Sequence, residues 1–269
     1  MEKASKLLAL LNELFYPQES CNICEGPLYR VNNSRTVFSG VGICSHCQEK
    51  LEIPSAPYCN HCHKPLNLFN ITRGAEQELL CEDCRLTYGD LEISRSAVIY
   101  NNFMQQTLAL YKYRGKESLA KSFSRLLKIA YDANYAKTKI DFITYIPLHE
   151  IRLKERGFNQ AEQLARLLGE FIGKPLFPLL KRVKNTDKQS KHTKQERIKQ
   201  IQDSFVINQE FLTRVQNSSV LIIDDIYTTG STMLEASRII KSHGVKPVYS
   251  LTLCRATAQL DDDKEELFV

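Results

Sequence analysis

Two adjacent carboxylates, Asp224 and Asp225, follow the apolar run VLII and precede the hydroxyl-rich segment IYTTGST. The hydroxyls on either side of Gly230 belong to Thr228, Thr229, Ser231 and Thr232. Hydroxyl donors, an approachable glycine and the unpaired N–H groups of a helix beginning near Ser231 or Thr232 would form a cradle for phosphate. The carboxylates would repel a phosphate, so they suit neutral hydroxyls or a magnesium ion. A sugar phosphate satisfies both halves of this site.

A second candidate group is the basic segment RLKERG, which contains Arg152, Lys154 and Arg156. It follows a predicted strand and precedes a helix that begins at about Asn159. Three cations and a helix N-terminus would then face the same crevice as the cradle, and a diphosphate could lie there. A solvated basic loop is the alternative.

A third group is the basic segment 181–199, which holds eight Lys or Arg residues against Asp187 and Glu196. It lacks glycine and apolar periodicity, so we expect a mobile flap beside the site. The flap could close over a diphosphate or run along a nucleic-acid backbone, and a plain solvated surface is equally open. The candidate flap or nucleic-acid contacts are Lys188, Lys191, Lys194 and Arg197.

Eight of the nine cysteines form four C-x-x-C pairs before residue 85. The repeat of CNICEGPL as CNHCHKPL, and of CSHC as CEDC, predicts two tandem zinc ribbons with one structural zinc ion each. Such small units depend on the metal to fold, and four cysteine ligands leave no open position for hydrolysis. The predicted ligands are Cys21, Cys24, Cys44 and Cys47 for one ion, and Cys59, Cys62, Cys81 and Cys84 for the other.

Other arrangements of these cysteines remain open. A redox dithiol or an iron–sulfur cluster could use the same spacing. A cross-braced pairing would join the first pair to the third and the second to the fourth. His46, His61 and His63 lie beside the knuckles and could replace a cysteine, although solvated histidines are the favoured interpretation.

The elements that would position these groups follow from about Leu91 onward. Short apolar runs such as SAVIY, IDFITYIPL, SVLIIDD and PVYSLTLC alternate with stretches of helical periodicity. That alternation predicts an α/β fold with a parallel sheet and helices on both faces, in which ligands bind beyond the carboxyl ends of the strands. The hydroxyl-rich loop matches neither the G-x-x-x-x-G-K-[ST] nor the G-x-G-x-x-G pattern, which disfavours ordinary NTPase and dinucleotide sites.

Composition sets the outer bounds. With 269 residues, of which 43% are hydrophobic, the chain can form one large domain and a small one. No apolar run approaches the ~18 residues of a membrane span, and Asn12 and Glu13 interrupt the apolar N-terminal stretch. We therefore expect a cytoplasmic protein without membrane insertion.

The segment VLIIDDIYTTGST resembles the phosphoribosyl pyrophosphate (PRPP) motif of type I phosphoribosyltransferases. The resemblance implies that Asp224 and Asp225 hold the ribose hydroxyls, or act as catalytic residues in an enzyme, and that the threonine and glycine loop holds the 5′-phosphate. It also implies magnesium as the companion ion of PRPP.

Three further segments, IPLHEIRLKERGFNQAEQLA, YKYRGK and TDKQSKHTKQERIKQIQDSF, are similar to those of the ComF family (ComFC-like competence proteins). Gln200 departs from the asparagine expected after the ER pair in the last segment. The resemblance covers nearly the whole chain and implies a double zinc ribbon joined to a type I phosphoribosyltransferase domain. The implied divisions are an N-terminal helix (1–19), the double zinc ribbon (20–90), the phosphoribosyltransferase-like domain (91–258) and an acidic tail (259–269).

The same resemblance implies a role in natural transformation and in handling incoming single-stranded DNA. Three classes of function are open: an enzyme that releases pyrophosphate from PRPP with an unknown acceptor, a protein that binds PRPP or DNA, and an adaptor whose ribbons dock a competence helicase or DNA-uptake component. The sequence contains no recognisable base-binding hood. That favours the binding protein over the enzyme.

Overall fold

The structure is a computed structural model that describes residues 20–28, 40–66, 72–73, 79–86, 89–113, 116, 118–185 and 200–257. Several predictions fall on other parts of the chain and so lie outside the described residues. These are the N-terminal helix (1–19), the acidic tail (259–269) and the flap residues Lys188, Lys191, Lys194 and Arg197.

The helices and strands described in the cysteine-rich region are short. Helix α1 (Ser45–Gln48) and helix α2 (Glu82–Leu86) each begin directly after the first cysteine of a C-x-x-C pair, Cys44 and Cys81, and contain the second cysteine. Strands β1 (Thr72–Arg73) and β2 (Leu79–Leu80) pair antiparallel. Elements this short do not form a hydrophobic core by themselves, so this region depends on the cysteine clusters and on packing against the rest of the chain.

A four-stranded parallel sheet forms the centre of the molecule, as the sequence predicts. Its strands are β3 (Ser94–Ile99), β4 (Phe142–Tyr145), β7 (Val220–Tyr227) and β8 (Val248–Arg255), arranged in the order β3-β8-β7-β4. A separate antiparallel pair is formed by β5 (Leu180–Arg182) and β6 (Phe205–Ile207). Helices connect and cover these strands: α3 (Asn102–Tyr113), α4 (Ser118–Tyr135), α5 (Glu150–Arg156), α6 (Gln160–Ile172), α7 (Gln209–Val215) and α8 (Ser231–Ser242).

The sheet separates two hydrophobic cores. Alternate residues of β7 face opposite sides, with Leu221 and Ile223 in the first core and Val220 and Ile222 in the second. The first core contains α4, α6 and residues of the first cysteine-rich repeat, including Val41. The second core contains α8, the β5–β6 pair and all four cysteines of the second repeat. The two repeats therefore pack against opposite faces of one sheet.

The segment RLKERG differs from its prediction as a loop, because it forms most of helix α5. The sequence around it contains ordinary helix signals: the His149 ring accepts a hydrogen bond from Ile151 N–H, Glu150 lies in the first turn, and Gly157 ends the helix with φ of 79°. The exposed Ile151 and Leu153 give α5 no buried apolar stripe, which is why periodicity does not reveal it.

Strand β7 is also longer than the predicted run VLII. It continues through Tyr227 because β8 offers partners beyond Ile223, with Asp224 beside Thr252 and Tyr227 beside Arg255. The two acids therefore lie within the strand rather than after it. No helix in the described parts of the chain combines the length and the apolar character needed to cross a membrane.

Candidate functional site

Asp224 and Asp225 lie near the carboxyl end of β7, where the backbone and side chains enclose them partly. The Asp225 N–H donates a hydrogen bond to Asp224 Oδ1 at 2.8 Å. Burial, and next the negative charge of Asp225, raise the pKa of Asp224 to about 8. The pair therefore contains one carboxyl group that readily holds a proton and one that is paired with a cation.

That cation is Lys112, in the last turn of α3, which forms an ion pair with Asp225. Burial disfavours the charged form of Lys112, but Asp225 and then Asp224 outweigh burial, and the pKa of Lys112 is raised. The sequence prediction missed this residue. The segment YKYRGK that contains it supports only the family resemblance, and nothing local in that segment connects it to the acids.

The loop between β7 and α8 has the geometry of an anion cradle. We refer to residues 228–232 as the phosphate loop. Gly230 has φ of 84°, a backbone conformation that disfavours residues with a side chain, and a Cβ atom there would collide with the hydroxyl of Tyr227. Both the backbone and the packing therefore require glycine at this position. The Thr229 and Ser231 hydroxyl oxygens lie 3.0 Å apart. Helix α8 begins at Ser231, as predicted, so the first amides of a twelve-residue helix open beside these hydroxyls.

The three predicted cations of α5 differ in their surroundings. Arg156 lies near enough to Lys112 for its charge to oppose the protonation of that lysine, and it donates to the side-chain oxygen of Gln160 at 2.9 Å. Arg152 forms an ion pair with Glu155 at 2.8 Å, and Lys154 is exposed. Because helical residues advance about 100° each, Lys154 points away from the face that Arg152 and Arg156 share. The structure thus brings Arg156 towards the acids but not Lys154.

Arg182, at the end of β5, is a second cation near the acids. Its basic segment 181–199 predicts a mobile flap beside the site, but Lys181 and Arg182 lie in a strand. Burial lowers the pKa of Arg182, and the negative charge of Asp224 opposes that effect. Its guanidinium carbon lies 5.6 Å from the ring centroid of Phe205. The crevice therefore combines two acids and the phosphate loop with cations from three separate elements, α3, α5 and β5.

The eight paired cysteines form two compact clusters. The sulfur atoms within each cluster lie within 4.8 Å of one another, and the grouping is sequential rather than cross-braced. We call Cys21, Cys24, Cys44 and Cys47 the first cluster, and Cys59, Cys62, Cys81 and Cys84 the second cluster. Sulfur separations of 3.6 Å between Cys24 and Cys44 and 3.7 Å between Cys62 and Cys81 fit a tetrahedron with metal–sulfur bonds of about 2.3 Å.

Each cluster contains at least one thiol with a lowered pKa, which favours the thiolate form that binds metal, beside neighbours whose pKa is raised, because close thiols compete for the negative charge. Burial opposes ionisation of Cys21, but hydrogen bonds from the backbone at Cys24 and Cys44 outweigh burial and lower the pKa of Cys21 to about 7. In the second cluster, hydrogen bonds from the neighbouring thiols lower the pKa of Cys59 far below its ordinary value.

The histidines beside the knuckles correct the expectation of solvated side chains. His61 and His63 are both buried, and only His46 is exposed. The His61 ring lies 2.7 Å from the Leu91 carbonyl oxygen and 3.4 Å from Cys84 Sγ. The His63 ring accepts a hydrogen bond from Ser96 N–H at 3.1 Å. The two rings thus connect the second repeat to β3 and to the residue Leu91 shortly before it.

Comparison with known families agrees with this architecture. Residues 11–85 match the Double zinc ribbon domain family, and residues 151–269 match the Phosphoribosyl transferase domain family. The chain therefore joins a double zinc ribbon to a phosphoribosyltransferase-type domain.

Individual relatives identify the family more closely. The chain is 32% identical to Competence protein ComFC of Bacillus subtilis (strain 168), over 88% of this chain and 95% of that protein. It is 29% identical to Competence protein F of Haemophilus influenzae, over 88% of this chain and 96% of that protein. It is 25% identical to DNA utilization protein YhgH of Salmonella typhimurium, over 87% of this chain and 96% of that protein. The chain belongs to the ComFC family of competence proteins.

Proposed function

We propose that this protein binds PRPP with magnesium in the crevice at the carboxyl end of β7. The observation that carries the proposal is the direct succession of a carboxylate pair, Asp224 and Asp225, and an anion cradle at the start of α8. PRPP requires both, because its ribose hydroxyls are neutral donors and its 5′-phosphate is an anion.

Each part of PRPP would find a different set of partners. The ribose hydroxyls would donate to the carboxylates, and the 5′-phosphate would accept hydrogen bonds from Thr229, Ser231 and the first amides of α8. The diphosphate would lie on the side of Lys112, Arg156 and Arg182, with Arg152 as a further proposed contact. Thr228 and Thr232 are further proposed contacts of the 5′-phosphate, whereas Lys154 lies on the other face of α5. This arrangement places the diphosphate charges next to cations.

Magnesium fits the donor set of this crevice, since carboxylate oxygens are hard ligands and Mg²⁺ is a hard cation. Asp224 and Asp225 would hold it, directly or through water, and it would neutralise charge on the diphosphate. Lys112 already supplies a positive charge next to Asp225 and would reduce the repulsion when the ligand enters.

Calorimetry with the purified protein tests the proposal. We expect PRPP to bind in the presence of magnesium, and ribose 5-phosphate to bind more weakly because it lacks the diphosphate. Inorganic pyrophosphate serves as the second reference, because it reports on the cations alone. Absence of any PRPP-specific heat or competition would contradict the proposal.

Catalysis is a second candidate, favoured by the match to the Phosphoribosyl transferase domain family. In that case the protein would transfer the phosphoribosyl group to an acceptor and release pyrophosphate. Pyrophosphate release from PRPP across a panel of acceptors, with and without single-stranded DNA, distinguishes this candidate from binding alone. Release above the rate of the protein-free control would establish transfer or hydrolysis.

We also propose a role in DNA handling during natural transformation. The names of the relatives support it, since they are competence and DNA utilization proteins. The protein could contact single-stranded DNA through segment 181–199, or act as an adaptor for a competence helicase or DNA-uptake component. We also propose the domain limits: the ribbon region covers residues 20–90, and the phosphoribosyltransferase-like domain covers residues 91–258.

The remaining part of the proposal is two structural zinc ions per chain, one in each cluster. Four thiols at tetrahedral separations support zinc, and the metal would supply folding free energy of roughly 10–16 kcal/mol per site. Elemental analysis of freshly purified protein, without chelators, should give two zinc ions per chain. One ion or none would contradict this assignment.

A further inference from the structure

Arg255, the last residue of β8, connects the second cluster to the phosphate loop. Its side chain is buried, with 3% of the residue exposed. On one side, Nε donates to the Cys62 carbonyl oxygen at 3.0 Å and Nη2 donates to Cys62 Sγ at 3.4 Å. On the other side, Nη1 donates to the carbonyl oxygens of Tyr227 at 3.0 Å and Thr228 at 2.8 Å. One guanidinium therefore contacts a predicted metal ligand and the backbone that leads into the loop.

The contact continues from Arg255 to the centre of the loop. The guanidinium carbon lies 4.7 Å from the ring centroid of Tyr227, and the Tyr227 hydroxyl occupies the space that a Gly230 side chain would need. A small cavity between the cluster and the loop is lined by Cys62, Tyr227, Thr229 and Arg255, among others. A chain of direct contacts therefore runs from Cys62 through Arg255 and Tyr227 to Gly230.

The charge of Arg255 requires a counter-charge, since a buried unpaired guanidinium is costly. Within the described part of the chain, none of the ion pairs supplies a carboxylate to Arg255. Cys62 is the group at hydrogen-bond distance that can carry negative charge. Four thiolates on one divalent zinc ion leave two net negative charges, so the metal-loaded second cluster would balance Arg255.

We propose that Arg255 is a positioning residue that couples the second cluster to the phosphate loop. The loop keeps its anion-binding conformation while this cluster holds metal, and it loosens when Cys62 is released. The consequence for PRPP rests on the proposed function, whereas the consequence for the loop itself does not. The first cluster has no comparable link, because the hydrogen bonds found for the described residues 20–28 and 40–47 do not reach the loop.

The test compares Arg255→Met with the matched control Arg95→Met. Arg95 donates to the Asn60 carbonyl oxygen at 2.9 Å and lies 5.8 Å from the ring centroid of Tyr58, so it ties the same repeat to β3 without touching the loop. Both variants should retain two zinc ions. Amide hydrogen exchange in the phosphate loop, measured without ligand, should be about tenfold faster in Arg255→Met than in the parent and unchanged in Arg95→Met.

Binding of PRPP with magnesium should weaken by about tenfold or more in Arg255→Met and stay near the parent value in Arg95→Met. If the parent does not bind PRPP, the proposed function fails. The comparison of amide exchange without ligand still tests whether Arg255 couples the second cluster to the phosphate loop. Equal exchange of the loop in Arg255→Met and the parent would overturn the coupling.

If Arg255→Met does not fold, stepwise removal of metal from the parent protein tests the same coupling. Exchange within each repeat identifies which cluster has lost its metal. Loop protection should persist when the first cluster is empty and disappear when the second is empty. Loss of loop protection together with the first metal, while the amides of β7 and β8 stay protected, would overturn the proposal.

Discussion

Asp224 and Asp225 are adjacent in the chain but have different electrostatic surroundings. Asp225 has Lys112 as its ion-pair partner, whereas burial and the neighbouring charge raise the pKa of Asp224 to about 8. In an unfolded chain Asp224 would ionise near 3.8. Between these two values the folded state binds one more proton than the unfolded state, so the free energy of unfolding falls as pH rises from about 4 to about 8.

Asp224→Asn should remove this pH dependence. The variant should melt at a higher temperature than the parent, with a difference that grows from pH 4 to pH 8 and then stays constant, because the amide is neutral throughout. Calorimetric melting across that pH range checks the result, with Asp203→Asn, at an exposed acid, as the control. A melting difference independent of pH would mean that Asp224 ionises normally in the folded protein.

The acids and hydroxyls of the crevice could be predicted because they lie together in one short segment. Lys112 and Arg255 could not, and Arg182 could be expected only as part of a mobile flap, since each reaches the crevice or the loop from a distant part of the chain through tertiary packing. Their residue types give no local signal, because lysine and arginine are common on solvated surfaces. Predicting them would require the strand order β3-β8-β7-β4, which the hydrophobic pattern does not determine.

At the scale of elements, the two clusters differ in exposure. Cys24 is exposed and Cys44 is half-buried, whereas all four cysteines of the second cluster are buried. A chelator should therefore remove the metal of the first cluster well before that of the second, in two separate kinetic phases. Metal release monitored with a colorimetric chelator measures this, and Cys24→Ser should abolish the fast phase alone. A single phase that accounts for both ions would contradict this expectation.

The basic segment 181–199 provides a test of DNA binding. If Lys188, Lys191 and Lys194 contact phosphates, replacing all three with glutamine should weaken binding of single-stranded DNA. It should also make the slope of log K against log salt concentration less negative by about 2, since each phosphate contact contributes roughly 0.7 to that slope. The matched control replaces Lys137, Lys139 and Lys246, which are exposed near the amino-terminal ends of β4 and β8, away from the crevice.

Three outcomes of this experiment have different meanings. An unchanged affinity and salt slope would place any DNA contact in the ribbons or in a partner. Retained DNA binding with loss of PRPP binding would assign the segment to the crevice and favour catalysis. Equal losses in the test and control triples would indicate only the effect of net charge.

Most long elements of the sheet domain could be predicted from periodicity, because their buried faces produce a repeated pattern. Helix α5 and the β5–β6 pair could not. Helix α5 has seven residues and exposes its apolar side chains, and the two strands have three residues each, too few for alternation to be recognised. These short elements carry Arg156, which the basic segment RLKERG does predict at the crevice, and Arg182, which lies in a strand and not in the mobile flap predicted for segment 181–199.

At the scale of the whole molecule, the ribbon region and the sheet domain share their cores. From the sequence alone, Cys24→Ser should unfold one ribbon and leave the sheet domain largely intact. In the structure, however, Val41 and Ile43 are buried in the first core, and Ser122 of α4 donates to the Val41 carbonyl oxygen at 2.7 Å. Loss of the first ribbon would therefore uncover part of the sheet domain.

We accordingly expect Cys24→Ser to destabilise the sheet domain as well. Exposing two buried aliphatic side chains should cost roughly 3–6 kcal/mol of unfolding free energy. Differential scanning calorimetry with far-ultraviolet circular dichroism should show one transition at a lower temperature. A sheet-domain transition at the parent temperature would mean that the ribbon is energetically independent.

The central claim is that the carboxylate pair and the phosphate loop hold PRPP, and titration calorimetry of two variants tests it most directly. With magnesium present, Asp225→Asn should weaken PRPP binding by about 1–3 kcal/mol, the usual loss for a charge-assisted contact. Thr229→Val should cause a similar loss through the 5′-phosphate, and Arg95→Met should bind like the parent. Unchanged PRPP affinity in both Asp225→Asn and Thr229→Val would contradict the account.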